Sequence, residues 1–266
     1  MNKEPKKPRK KKKKRVRKLF VSTAAFITAA VIIIFCIYYV YFQTDYFNIT
    51  NVHVKGNETY NEDYIVSLSN IELGEKIFSI DRSKIQALVE KEVYVKNARV
   101  VYELPDKILI ELTERKEKYQ VYYKNEYIVV DENGIVLKVT KEKNDLLTIE
   151  SLADVLYNVG ETLQITGIEN INTIFDTVNY VNSEFGGETV KKLFVDSSNS
   201  FVLQTEYGTY IKIKLKEDIK YQIVFAMKII NERLNNNLVV SNGIIDFTKG
   251  DSPVYIEDFK MEEYNE

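Results

Sequence analysis

Residues 94–115 read YVKNARVVYELPDKILIELTER. Ala98, Val100 and Tyr102 share one face of an extended chain, and Ile108, Ile110 and Leu112 share one face of a second. Between them, Leu104-Pro105-Asp106-Lys107 has turn chemistry: proline fixes its own φ, and the aspartate side chain caps neighbouring backbone. The stretch predicts a β-hairpin with one face buried.

Upstream, helical signals precede this hairpin. Asp81 is suited to be the N-cap of a helix whose apolar face is Ile85, Leu88 and Val89. Thr59-Tyr60-Asn61-Glu62 has the form of a capping box, with Thr59 at the N-cap, followed by a short helix burying Tyr64, Ile65 and Leu68. Gly74 marks the loop between the two helices. Before them, Phe47–Lys55 alternates as a strand, with Val52 and Val54 on one face and His53 and Lys55 on the other, ended by Gly56-Asn57. The order β-α-α-β-β predicts a small α+β domain over residues 46–115, a three-stranded sheet with two helices on one face.

Further upstream the chain changes character. Leu19–Phe42 is 24 residues long and carries no charge. As a helix it spans about 36 Å, enough to cross a hydrocarbon core of about 30 Å with some tilt. Tyr38, Tyr39 and Tyr41 crowd its far end, where an aromatic belt belongs. A cleavable signal peptide has a shorter apolar core and a small-x-small exit, whereas this run leaves through Tyr-Tyr-Val-Tyr-Phe. Residues 1–18 hold twelve Lys and Arg against Glu4 alone, so this tail carries +11 and the remainder, from a chain total of −2, carries −13. That asymmetry places the N-terminus in the cytoplasm and the rest outside by the positive-inside rule. A basic arm next to an apolar span is expected to touch anionic lipid; a nucleic-acid arm is the rival reading. The one cysteine, Cys36, lies inside the apolar run, so the exterior has no disulfide to staple it.

Downstream, residues 116–257 predict a β-rich α+β domain. Glu126–Val130 and Ile135–Val139 flank the hairpin turn Asp131-Glu132-Asn133-Gly134. Residues 141–170 carry little pattern. Ile171, Ile174, Phe175, Val178, Val181 and Phe185 recur at helical spacing, stopped by Gly186-Gly187. Strands follow at Lys192–Asp196, Phe201–Thr205 and Tyr210–Lys214, the last two joined through Tyr207-Gly208. A helix from Asp218 to Leu234 then presents Ile219, Ile223, Met227, Ile230 and Leu234. Strands at Gly243–Thr248 and Val254–Ile256 enclose Lys249-Gly250-Asp251, and an acidic tail runs over residues 258–266. The fold class is therefore a single-pass membrane protein with an α+β exterior of two domains.

Catalytic chemistry has little to work with. His53 is the only histidine, so any Ser-His-Asp or Cys-His arrangement must use it, and a zinc site of the usual nitrogen and sulfur ligands is not expected. Asp131–Gly134 lacks the remaining ligands of a calcium loop and reads as a turn. No phosphate-cradling glycine motif is present, and the acidic exterior disfavours nucleic acid. Paired carboxylates for glycan cleavage are not excluded by composition alone. No catalytic residue, cofactor or metal is assigned.

The order of parts resembles the FtsQ/DivIB family of bacterial cell-division proteins. Residues 49–57, ITNVHVKGN, look like that family's opening strand in its POTRA (polypeptide-transport-associated) domain. Tyr94–Val100, Leu104–Ile108 and Glu111–Arg115 are similar to its central hairpin; Val130–Val136 and Gly243–Phe247 are similar to later strands. The resemblance implies a non-enzymatic scaffold at the division septum, with no cofactor and no small-molecule substrate. It further implies binding of FtsL-like and FtsB/DivIC-like bitopic proteins through the C-terminal strands, and through them an influence on septal peptidoglycan synthesis.

A last strand at Val254–Ile256 is expected at a sheet edge, where a partner strand can add. Phe247, Val254, Tyr255 and Ile256 are therefore the expected partner-binding residues, with Phe247 or Tyr255 as exposed anchors. The alternative is that both rings are core residues of the final hairpin, more so for Phe247. A membrane-anchored sensor or adhesion module, and an anchored cell-wall enzyme, are the competing functions.

Overall fold

The computed structural model describes residues 10–187, 189–196, 199–215, 217–249 and 252–261, with side chains from residue 23 onward. The first half of the basic tail, the Gly250-Asp251 turn and the last five residues of the acidic tail fall outside the described residues. The chain divides into two compact units, residues 1–90 with 97–113, and residues 91–96 with 114–266.

In the first unit, α1 (Lys10–Gln43) continues back from the apolar run into the basic tail. Its Thr23–Gln43 part is long and apolar enough to cross a membrane. A single 3₁₀ turn (Asp45–Phe47) follows, capped by the Thr44 hydroxyl. The first strand, β1 (Asn51–Lys55), is consequently shorter than the expected Phe47–Lys55. α2 (Glu62–Ser69) is capped by Asn61, whose side chain accepts from the Tyr64 amide, and not by Thr59. The Glu62 carboxylate that a capping box requires is engaged elsewhere, accepting from the Val54 amide at 3.0 Å. Ile65 is fully buried, but Tyr64 is exposed, so the predicted apolar face is narrower than its spacing. α3 (Arg82–Val89) starts at Asp81 as expected, with the carboxylate accepting from Lys84 N.

The hairpin then forms β2 (Val95–Glu103) and β3 (Lys107–Glu114). β3 is central: β1 pairs with it in parallel and β2 lies on its other side. Val52, Ala98, Val100, Ile108, Ile110 and Leu112 are buried together with Ile65, Ile85 and Val89 of the helices. Gly56 turns the chain at φ +84°, where a Cβ would collide with the Leu112 carbonyl.

The second unit is built on a nine-stranded sheet. Its strands are β4 (Tyr119–Tyr123), β5 (Glu126–Val130), β6 (Val136–Thr140), β7 (Leu147–Ser151), β10 (Val190–Val195), β11 (Ser200–Thr205), β12 (Tyr210–Lys214), β13 (Ile244–Asp246) and β14 (Val254–Ile256), with a separate small hairpin of β8 (Val155–Leu156) and β9 (Gln164–Ile165). The order across the sheet is β14-β13-β12-β11-β10-β7-β4-β5-β6. Four strands are absent from the sequence reading: β8 and β9 of the small hairpin, and β7 and β4, which are neighbours inside the large sheet. β7 runs parallel to both β4 and β10 and joins the two halves. A buried glutamine explains its seat: Gln120 Nε2 donates to the Asn144 and Leu146 carbonyls and to the Thr148 hydroxyl, and its Oε1 accepts from the Asn144 amide.

α4 (Ile171–Phe185) and α5 (Ile219–Asn235) cover one face with the apolar stripes read from the sequence, except that Leu234 is exposed. The core there includes Val121, Ile149, Leu193, Phe201, Ile213, Phe175, Val178, Ile223 and Ile230. Tyr119 stacks on Phe175 with centroids 4.2 Å apart. At the Asp131–Gly134 turn the buried Asp131 carboxylate accepts from the amides of Asn133 and Ile135 and pairs with Arg115 at 2.8 Å. These bonds engage both carboxylate oxygens in a structural role.

Gly56→Ala should destabilise the first unit by about 1–3 kcal/mol from backbone strain alone, with the clash added, measured as a lower urea midpoint of the full chain in detergent. Burial pushes the Tyr119 hydroxyl above its usual pKa; the charges of Asp176 and Glu132 push the same way and the Asn179 hydrogen bond opposes them. The neutral phenol is thus favoured by folding. Its contribution is complete below the unfolded value of about 10 and lost as pH rises through the folded value. In Tyr119→Phe the fall in unfolding midpoint above that pH should be shallower than in the parent; an identical fall would refute this role.

Candidate partner-binding edge

The two ends of the nine-stranded sheet differ. At one end, β6 is covered by the segment 160–162: the Val136 amide donates to the Glu161 carbonyl at 2.9 Å, Gly160 N donates to the Val136 carbonyl at 2.8 Å, and Ile135 bridges Thr162. At the other end β14 pairs antiparallel with β13, and among the described residues no further strand pairs with its outer side. Backbone N–H and C=O groups on such an edge are a template for strand addition.

The sequence-predicted residues separate here into surface and support. Val254 is 42% exposed and lies at the register of Asp246. Ile256, opposite Ile244, is half-buried. Phe247 is only 6% exposed and sits edge-on to Phe225 of α5, so it is a core residue and not a surface anchor. Tyr255 is intermediate. Its hydroxyl donates to the Val239 carbonyl at 3.3 Å, and the Arg233 guanidinium lies 3.9 Å from its ring centroid. The hydroxyl end of the ring covers Gly243, where any Cβ would overlap it.

Arg233 ties the edge to the helix. It donates from Nε and Nη2 to the Val239 carbonyl, and its Nη2 reaches the Glu257 carboxylate at 2.6 Å. One guanidinium therefore holds the end of α5, the loop after it and the residue following β14, a use suited to its planar fork. Asp246 is buried and accepts from both the amide and the hydroxyl of Thr248, fixing how the chain leaves β13. Beside Tyr255, Leu234, Leu238 and Val239 are exposed, Val239 at 70%. The sequence reading passed over this apolar turn because Asn235–Asn237 registered only as a helix stop. The signal was the apolar pair Leu238-Val239 immediately after it.

Other chemistry is sparse among the described residues. No group of three or more His, Cys, Asp and Glu is arranged to hold a metal ion. His53 is exposed on β1, with contacts to Asn51 at 3.1 Å and the Glu62 carboxylate at 3.7 Å. Three shallow clefts of the second unit, holding Asp145, Glu169 and Asp258 respectively, each contain a single carboxylate. None of those clefts assembles the pair of acids that glycoside hydrolysis uses.

Comparison with known proteins finds one matching family model and several cell-division relatives. The family model described as the FtsQ-type POTRA domain matches residues 47–115. The cell division protein DivIB of Clostridium acetobutylicum is 25% identical over 214 residues, covering 79% of this chain and 83% of that protein. The cell division protein FtsQ of Syntrophotalea carbinolica is 25% identical over 77% of this chain and 71% of its own length. DivIB of Bacillus subtilis reaches 36% identity over 104 residues, 37% of this chain and 38% of that protein.

Gly243→Ala should displace the Tyr255 ring and loosen the edge, costing about 1–3 kcal/mol through overpacking. Hydrogen exchange should then quicken at residues 254–256 while β11, three strands further in, keeps its protection. Unchanged exchange at the edge would show that the glycine does not set the tyrosine's seat.

Proposed function

Since this chain belongs to the FtsQ/DivIB family of bacterial cell-division proteins, we propose that it is a membrane-anchored division scaffold that works by presenting surfaces and performs no catalysis. α1 crosses the cytoplasmic membrane, with the lysine-rich tail inside and both folded units outside at the septum. The charge step supports this orientation: twelve basic residues precede the span, and the segment up to Asp45 that follows it has none.

The observation that carries the reading is the outer side of β14, with which no strand pairs among the described residues, set beside the exposed Leu234, Leu238 and Val239. An extended segment of a bitopic partner adds to β14 through main-chain hydrogen bonds. Its side chains meet Val254 and Ile256 alternately, while the apolar turn takes the next contact. Phe247 and Arg233 support that surface from behind. The partners are FtsL-like and FtsB/DivIC-like division proteins, and through them the chain influences septal peptidoglycan synthesis. No small molecule or cofactor enters this reading.

Depletion of the protein in its host should give filaments with stalled septa, and a fluorescent fusion should concentrate at division sites. Val254→Asp places a charge on the partner side without disturbing Arg233 or Tyr255. Co-purification with coexpressed partners should fall about tenfold or more, equivalent to about 1.4 kcal/mol, with the unfolding midpoint unchanged. Full capture by Val254→Asp would remove β14 from the interface. Normal division after depletion would overturn the scaffold itself.

A further inference from the structure

Large exposed apolar side chains of the first unit outside α1 are Tyr46, Tyr64, Leu73, Phe78 and Leu104. Four of these five lie in loops tied to the short segment where α1 ends. Tyr46 is in the 3₁₀ turn itself. Leu73 precedes Gly74, whose amide donates to the Ile49 carbonyl at 2.8 Å. Leu104 belongs to the β2–β3 turn, where the Asp106 carbonyl accepts from Thr50 N at 2.8 Å. Phe78 is packed directly against the helix exit: its ring centroid is 5.9 Å from Tyr41 and 5.7 Å from Phe47. The opposite end of the unit, where β1 runs into Gly56, has only the fifth, Tyr64 in the first turn of α2, whose ring stacks on Tyr60 with centroids 5.5 Å apart.

Tyr41 is the pivot. It is a residue of the apolar helix, and a ring of the folded unit touches it. Lys76 reinforces the join, donating to the Thr44 carbonyl at 2.7 Å with its ammonium 5.8 Å from the Tyr41 ring centroid. Next to Phe78, Tyr102 makes an edge contact at 5.4 Å and carries the Arg82 guanidinium 4.6 Å from its centroid. Aromatic rings with cations stacked on them suit the boundary between hydrocarbon and headgroups, where the ring body is apolar and the cation meets phosphate. Asp45, Glu72, Glu75 and Asp106 share this end, so net positive charge is not what draws it to the membrane.

We propose that this end of the first unit, with Tyr46, Leu73, Phe78 and Leu104 foremost, sits in the headgroup layer of the same bilayer that α1 crosses. The occupant is the phospholipid surface, continuous with the span through Tyr41. The proposal rests on α1 being a membrane anchor. Insertion is driven by apolar burial, so it does not require anionic lipid and persists in high salt.

The chain contains no tryptophan, so a single introduced one reports its own surroundings. Full-length Phe26→Trp, Phe78→Trp, Leu104→Trp and Tyr64→Trp are each reconstituted into phosphatidylcholine vesicles containing lipid brominated either near the carbonyl or deep in the chain. Phe26→Trp, inside the span, should be quenched most by deep bromine. Phe78→Trp and Leu104→Trp should be quenched about twofold or more by shallow bromine, in low and high salt, as expected for interfacial side chains. Tyr64→Trp, on α2 away from the helix exit, should be unaffected. Quenched Phe26→Trp with unquenched Phe78→Trp and Leu104→Trp overturns the proposal while leaving the anchor intact. Equal quenching at Tyr64 overturns it also, because contact would then not be confined to one end. Unquenched Phe26→Trp overturns the anchor and the proposal with it. Two reporters at this end keep the test decisive if one variant misfolds.

Discussion

An open β-sheet has to end, and each ending strand carries a row of donors and acceptors that something must satisfy. The second unit meets that demand differently at its two ends. Beside β6, the chain folds its own segment 160–162 against the edge and closes it. Beside β14, the described residues supply no such cover. What they supply is rigidity: Arg233 stacks on Tyr255, holds the Val239 carbonyl and reaches Glu257, while Asp246 fixes the exit from β13. A strand only three residues long has little stability of its own. Holding it from behind, through a helix end and a glycine that accepts a ring, lowers the entropy still to be lost when a further strand arrives.

Most of the first unit was legible because its determinants are local. Asp81 caps α3 within three residues, and the alternations 98-100-102 and 108-110-112 each declare a face without reference to anything distant. The errors are equally physical. Thr59 and Glu62 have capping-box spacing, but Val54, on another element, takes the glutamate, and the cap passes to Asn61. Phe47 alternates correctly for a strand, yet it turns back to meet Tyr41 and Phe78. In the second unit, β7 has one fully buried apolar side chain, Ile149, and its place is set by Gln120, some two dozen residues away. Periodicity cannot report a strand whose seat is fixed by a buried polar side chain on another strand.

The candidate edge was half legible for the same reason. That the last strand would lie at the sheet's end follows from its being last and short. That Phe247 turns inward follows from α5, whose Phe225 ring meets it edge-on; no pattern around residues 243–248 contains that information. The contribution of Leu238 and Val239 was hidden in the same way, since exposure of a turn after a helix depends on what the helix end packs against. Sequence located the strand, and tertiary packing decided which of its neighbours reach the surface.

The surfaces singled out in the two units are alike in kind. One is a set of rings and aliphatic side chains clustered where a helix leaves the apolar span, and the other is an edge strand, paired on one side only among the described residues, with an apolar turn beside it. Neither encloses a cavity. A pocket recognises a small ligand by surrounding it and converging a few polar groups; an edge or an interfacial collar recognises something extended, by repeating the same modest contact along its length. Partners of the first type dissociate once a few contacts are lost, whereas an extended partner held at many weak points is released only when several give way together. A chain confined to a membrane also meets its neighbours at high effective concentration, so weak repeated contacts suffice for assembly. In the scaffold proposed for this chain, the loss of single side chains at the edge is therefore graded in effect and not absolute.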